Sequence, residues 1–159
     1  MLSAADQERF SRHLLLDQLG GRGQERVCAG AVEIDLPAEA RPVARACARA
    51  LASAGIGQLF LRGPWSAALE PELRELSSAL EIVSNAHQPR APSASLIKVY
   101  FVHEASAAPR PFELQLGPAP GASRSPAESS ALGSLAALEA LKLLAGSGRP
   151  APQPLSVFP

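Results

Sequence analysis

Residues 31–63 hold the feature that most limits what this chain can become. AVEIDL, Ala31 to Leu36, alternates apolar and polar residues as a strand does. Pro37 and Pro42 bracket a short loop, VARACARALASAG makes a helix from Val43 closed by Gly55, and IGQLFLRG, Ile56 to Gly63, reads as a second strand. Strand, helix, strand over this length is a βαβ unit, whose two strands run parallel with a right-handed crossover. The chain is therefore expected to be α/β, built on a small, mainly parallel, Rossmann-like sheet with helices on both faces.

The remaining segments fit around that unit. Upstream, SAAD from Ser3 offers an N-cap, and Phe10, Leu14 and Leu15 recur at helical spacing, so residues 1–27 form an N-terminal helical arm with one buried face. Gly20, Gly21 and Gly23 are expected to end that helix, with Gln24 opening another turn. Downstream, the pattern predicts a short helix from Pro71 to Leu80, a strand in LEIVS from Leu80 and a loop in HQPRAPSAS, His87 to Ser95. SLIKVYFVH, Ser95 to His103, should be a core strand, with PFELQL pairing to it as a hairpin. GPAPGASRSPAESS reads as a flexible loop over 117–131, LGSLAALEALKLLAG as a late helix over 132–146, and PLSVF as a last strand. The 159 residues suffice for one domain with a buried core.

Composition excludes several classes of function. Fifteen basic and fifteen acidic residues balance, with no basic run, so neither nucleic acid nor a membrane surface is an expected partner. No apolar stretch approaches the roughly 20 residues that span a bilayer, and no secretory signal pattern opens the chain, so the expected compartment is the cytoplasm. Cys28 and Cys47 stand in no CxxC pair, and His13, His87 and His103 lack metal spacing, so no metal or cofactor is expected. Cys47, in an alanine-rich helix, reads as a core residue; Cys28, ahead of the first strand, reads as partly exposed.

Three stretches carry a resemblance. LSAADQERFSRHLLLDQLGGRGQERV resembles the opening of the ThiF/MoeB/HesA family, the ubiquitin-activating-type adenylyltransferases, with its R-[FY]-x-R, apolar run and glycine followed by Gln. ASAGIGQLFL, Ala52 to Leu61, is similar to the link between that family's first helix and second strand. GSLAALEALKLLAGSGRP, from Gly133, is similar to its late helix. Together they cover about half the chain. The resemblance implies a Rossmann-like fold, added antiparallel strands and dimerisation.

Where the family binds ATP, the chain departs from it. The family's glycine-rich turn lets backbone approach phosphate over a helix N-terminus; here the matching stretch is LPAEARP, Leu36 to Pro42, without glycine and with the anionic Glu39. Where the family places acidic residues after its second strand, this chain reads RGPW. The family's metal and phosphate residues, paired CxxC ligands and catalytic cysteine have no counterpart. The resemblance thus implies a degenerate member whose former pocket is marked by Leu36, Glu39, Arg41 and Trp65. Trp65 is read as filling that pocket, the alternative being a surface anchor for a partner.

One family role carries over. The second Arg of R-[FY]-x-R, which in the family reaches phosphates bound by the partner subunit, is Arg12 here. A structural ion pair is the other reading of Arg12, while Arg9 is expected to be solvated, His13 packed, and Lys142 solvated on the outer face of the last helix. Phe10, Leu14, Leu15 and Leu19 are the dimer-contact residues expected of the apolar arm. Three functions remain open. One is an inactive, pseudoenzyme scaffold or regulatory subunit, homodimeric or paired with an active ThiF-type subunit. The second is a residual adenylyltransferase with an altered nucleotide site. The third is a binding module for a ubiquitin-like, β-grasp carrier tail.

Overall fold

The structure, a computed structural model, describes residues 1–17, 19–84, 96–101, 113–116, 125–147 and 155. Five strands form one sheet: β1 (Ala31–Asp35), β2 (Gln58–Arg62), β3 (Glu81–Ser84), β4 (Leu96–Phe101) and β5 (Glu113–Leu116). Their order is β3-β2-β1-β4-β5, and every pairing is parallel. The helices are α1 (Ala4–Arg9), α2 (Ser11–Leu14), α3 (Gly20–Ala29), α4 (Arg41–Ser53), α5 (Ser66–Leu76) and α6 (Pro126–Ala145). The expected βαβ unit is present as β1, α4 and β2, and Gly55, at φ +86°, turns the chain after α4.

The register shows why the sheet has two unlike faces. Val32 stands beside Leu59 and Ile97, Ile34 beside Leu61 and Val99, and Val99 beside Leu114. All of these are buried and share one core with Cys47, Leu51, Leu69, Leu132 and Ala136 of α4, α5 and α6. Successive strand residues point to opposite faces, so Glu33, Asp35, Phe60, Arg62, Lys98 and Tyr100 occupy the other one. Helices on both faces were expected, but among the described residues α3 to α6 all contribute to the apolar-face core. Alanine makes this possible: Ala44, Ala48, Ala136 and Ala140 are fully buried, and small side chains let α4 and α6 approach closely.

Several expected boundaries and pairings are corrected. PFELQL does not form a hairpin with the preceding strand, because β5 runs parallel to β4, Lys98 beside Glu113 and Val99 beside Leu114. Alternation places Leu114 and Leu116 inward in either direction, so the residue pattern could not distinguish the two. The bridge of Leu155 to Leu116 is parallel as well, so no antiparallel pairing occurs among the described residues. Gly20, Gly21 and Gly23 do not end a helix; they open α3. A Cβ at Gly23 would stand 3.0 Å from Leu19 Cδ1 and 3.5 Å from Ala145 Cβ, so packing overrides glycine's poor helix propensity.

α5 starts at Ser66, with Pro71 inside it, rather than at Pro71. α6 starts at Pro126, not Leu132: the Ser125 hydroxyl accepts from the Glu128 amide and the Glu128 carboxylate accepts from the Ser125 amide, a capping box followed by proline at the first helical position. The remainder of the expected flexible loop, residues 117–124, lies outside the described residues. So do the loop at 87–95, His87, His103 and most of the expected last strand. No described helix is long and apolar enough to cross a membrane.

The packing sets the cost of particular substitutions. A Cβ at Gly133 would run into the Val43 carbonyl and stand 2.7 Å from Ala46 Cβ and 2.9 Å from the Cys47 amide. Gly133→Ala should therefore destabilise the fold by about 1–3 kcal/mol in urea titration. Gly21→Ala, with open space around it, should be neutral or stabilising by up to about 1 kcal/mol. Burial pushes the Cys47 thiol up from 9.0 to about 12. The folded chain then keeps a proton that the unfolded chain releases, so stability present below pH 9 is lost as pH rises toward 12. Cys47→Ala should flatten that alkaline loss, and in the native protein Cys47 should resist thiol reagents until unfolding.

Candidate functional site

In an open parallel sheet, ligands bind at the carboxyl ends of the strands, where the strand order reverses. Here that point lies between β1 and β4, and the first turn there runs from Leu36 through a short 3-10 turn, Ala38–Ala40, into α4. Leu36 is buried, while Glu39 and Arg41 are exposed. The N-cap of α4 is Ala40, which supplies no side-chain cap, and Pro42 sits in the first turn. Proline has no N–H, so this helix start offers one donor fewer to an anion than an ordinary one. Glu39, beside it, contributes repulsion instead.

Trp65 closes the turn from the β2 side. It is 3% exposed, and its indole Nε1–H donates to the Leu36 carbonyl at 2.9 Å. Gly63, at φ +136°, makes the approach possible, since a Cβ there would lie 2.6 Å from Trp65 Nε1 and 2.8 Å from the Leu36 oxygen. The two segments in which the sequence departs from the family pattern, LPAEARP and RGPW, are thus bonded to each other. Trp65 belongs to the hydrophobic core and is not a surface anchor.

Beside this turn, the polar face of the sheet carries a charge network that the sequence reading missed. The Glu33 carboxylate, almost wholly buried, pairs with Arg62 Nε at 3.1 Å and Lys98 Nζ at 3.4 Å, and Lys98 reaches Asp35 at 3.5 Å. Lys98 also lies over the Tyr100 ring, and Gln115 Nε2 donates to the Tyr100 hydroxyl at 3.1 Å. The signal was present as polar residues two apart in EID and KVY, which share a sheet face. Both β1 carboxylates are thereby neutralised by cations. Among the described residues, no three His, Cys, Asp or Glu side chains could hold a metal ion together.

At the opposite end of α4 the N-terminal arm docks on the domain. Phe10 is buried beneath Gly55, where a Cβ would collide with its ring, so it is a core residue and not a dimer contact. Arg9 is not merely solvated: it donates to the carbonyls of Ala52 and Leu76 and to Ser77 Oγ, and lies 5.0 Å from the Phe10 ring centroid. The fully buried Gln24 organises the region. Its Nε2 donates to the Ala54 carbonyl at 2.9 Å, so its Oε1 accepts from His13 Nδ1–H at 3.1 Å. His13 is packed as expected, stacked on Phe10.

Outward from this anchor the arm presents a different set of groups. Arg12 is exposed and, among the described residues, has no hydrogen bond or ion pair within the chain. Leu14 and Leu19 are half-buried, and Leu19 packs against the core. Leu15 is 82% exposed and Leu16 and Leu138 are each 54% exposed. A cleft of about 470 Å³ opens there, walled by His13, Leu16, Asp17, Leu138, Leu141 and Lys142. Lys142 is not solvated as expected, because its ammonium pairs with the buried Glu139 carboxylate at 2.9 Å. Arg12 and the Trp65 group occupy opposite ends of α4, so one subunit does not bring them together.

Neither cysteine is placed as a nucleophile. Cys47 is fully buried, and desolvation raises the thiol of half-buried Cys28, which accepts a weak bond from Gln24.

No protein-family profile and no curated protein sequence matches the chain. Solved structures do match. A crystal structure of selenomethionine PaaA superposes with a TM-score of 0.70 at 14% identity, covering 94% of this chain and 78% of PaaA. A crystal structure of E. coli MccB with MccA-N7isoAsn gives 0.62 at 13% identity, covering 94% of this chain and 66% of MccB. The likeness is one of fold: the chain has the α/β architecture of the ThiF/MoeB-like proteins.

Proposed function

We propose that this chain is a ThiF/MoeB-like protein with no nucleotide chemistry of its own, acting as a dimeric scaffold or regulatory partner subunit. One observation carries this reading: the Trp65–Leu36 bond, which closes the first strand-to-helix turn where a nucleotide-binding relative would hold phosphate. Phosphate recognition needs backbone N–H groups that can be approached closely. Here the turn has no glycine, Pro42 removes a donor, Glu39 repels, and an indole fills the adjoining space. The carboxylates that could hold magnesium nearby are engaged by Lys98 and Arg62.

Arg12 supports the partner half of the proposal. It projects from an arm fixed on its own domain by Phe10, His13 and Gln24, and it spends none of its donors within the chain among the described residues. A guanidinium held this way is available to a second subunit, either another copy or an active ThiF-type protein whose bound phosphates it would reach.

Calorimetric titration with ATP and magnesium tests the inactivity. No binding heat is expected, whereas micromolar magnesium-dependent binding would show that LPAEARP and RGPW form a nucleotide site, overturning the proposed inactivity in favour of the altered-site reading. Trp65→Ala should destabilise the fold by about 3–5 kcal/mol, through the lost indole and the cavity left behind. Trp65→Phe should cost about 1–2 kcal/mol, by taking the donor from the Leu36 carbonyl. As the chain's sole tryptophan, Trp65 should itself report native unfolding by fluorescence, from a blue-shifted, buried emission. Emission at the wavelength of water-exposed indole in the native state would sink the closed-pocket reading.

A further inference from the structure

The cleft at the arm has no assigned occupant. Its floor is apolar, from Leu16, Leu19 and Leu141 together with Val27, and its rim carries Asp17 and Lys142. Three of the four exposed large apolar side chains among the described residues gather here: Leu16 and Leu138 line the cleft and Leu15 adjoins it. Contiguous apolar surface of this kind marks an interaction site. The rim narrows the chemistry of the occupant. Lys142 is already committed to Glu139 through both carboxylate oxygens, at 2.9 and 3.0 Å. Asp17 is exposed and has no ion pair among the described residues. The cleft therefore fits an apolar knob with a cation beside it.

The chain itself presents such a group. Arg12 and Leu15 stand three residues apart, on one side of the α2 turn, the first without a partner among the described residues and the second 82% exposed. Knob and hole lie on one patch, as a two-fold interface requires, where residue i meets j and j meets i. The arm is also preorganised. Phe10 under Gly55 and the His13–Gln24 bond hold α2 in place before any partner arrives, which lowers the cost of ordering on association.

We propose that this cleft receives the arm of a second copy of the chain, with Leu15 of each copy entering the other's cleft and Arg12 of each pairing with the other's Asp17. This rests on the dimeric reading above and gives Arg12 a carboxylate rather than a phosphate as its target.

Sedimentation analysis of the full chain at low salt tests the proposal. Wild type should be a dimer. Leu15→Ser, Arg12→Asp and Asp17→Arg should each weaken self-association by about tenfold or more, the last two by setting like charges face to face. All three side chains are exposed, so thermal melts should stay near wild type. The decisive sample is an equimolar mixture of the Arg12→Asp and Asp17→Arg chains. In a mixed dimer the introduced aspartate of one chain faces the introduced arginine of the other. The Arg12 and Asp17 left unchanged face each other in the same way. Both cross pairs are then opposite in charge, so heterodimers should form where neither chain pairs with itself. An ion pair within one chain could not produce that result.

A mixture that stays as weakly associated as its components would overturn the reciprocal pairing. A wild-type dimer indifferent to all three substitutions would place the interface elsewhere, overturning this inference and leaving the dimeric reading intact. A wild-type monomer would overturn this inference and the homodimer, leaving of the proposed function only the pairing with an active ThiF-type subunit.

Discussion

Gly133 faces the Val43 carbonyl and the Cys47 amide, so α4 and α6 meet backbone against backbone beneath the apolar face of the sheet. The fold depends on that contact. It lets a chain poor in aromatic residues bury Val32, Ile34, Leu59, Leu61, Ile97 and Val99 under two helices whose inner faces are largely alanine. Close approach supplies the dispersion contacts that larger side chains would otherwise provide. Separate contacts hold the two ends of α4. At its start, the Ala38–Ala40 turn is held against β1 and sealed by Trp65; at its finish, Ala52, Ala54 and Gly55 receive Arg9, Gln24 and Phe10.

The N-terminal arm divides its residues by direction. Those that point inward are structural: Arg9 ties the arm to the ends of α4 and α5, Phe10 fills the space that Gly55 leaves, and His13 completes the hydrogen bonding of the buried Gln24. A buried side-chain amide left without partners is costly, so His13 and the Ala54 carbonyl specify where the arm must lie. Once it is fixed there, Arg12, Leu15, Leu16 and Asp17 have no inward role to play. A docked arm with an unsatisfied outer surface is a reason to look for a second subunit.

Much of this architecture was legible from residues alone. β1, α4 and β2 were set by alternation, the two flanking prolines and Gly55; the burial of Cys47 followed from its alanine-rich helix. The illegible parts have specific physical causes. Strand alternation in PFELQL encodes which residues face inward but not strand direction, so β5 could be read as a hairpin partner. Gly20, Gly21 and Gly23 look like punctuation although they open α3, and the one close approach among them, Gly23 against Leu19 and Ala145, is tertiary. Ser125–Pro126–Ala127–Glu128 carried a capping box that a proline- and serine-rich setting disguised. Glu33 and Lys98 stand far apart in sequence, and only the parallel register makes them adjacent.

The carboxyl edge of the sheet is where the proposed loss of nucleotide chemistry has its physical basis. The backbone contact of α4 with α6 at Gly133 lies away from the turn after β1, whose Leu36 and Ala40 join the same core, with Trp65, through apolar side chains. That turn is therefore held by packing and by its own hydrogen bonds, with no glycine in it. In a ligand-binding relative, glycine N–H groups there would wait for phosphate. In this chain the Ala40 amide bonds back to the Pro37 carbonyl, Pro42 has no N–H to satisfy, and the Leu36 carbonyl takes the Trp65 indole. These backbone groups are thus satisfied within the chain, and they support the closed-site proposal to the extent that a ligand would have needed them free.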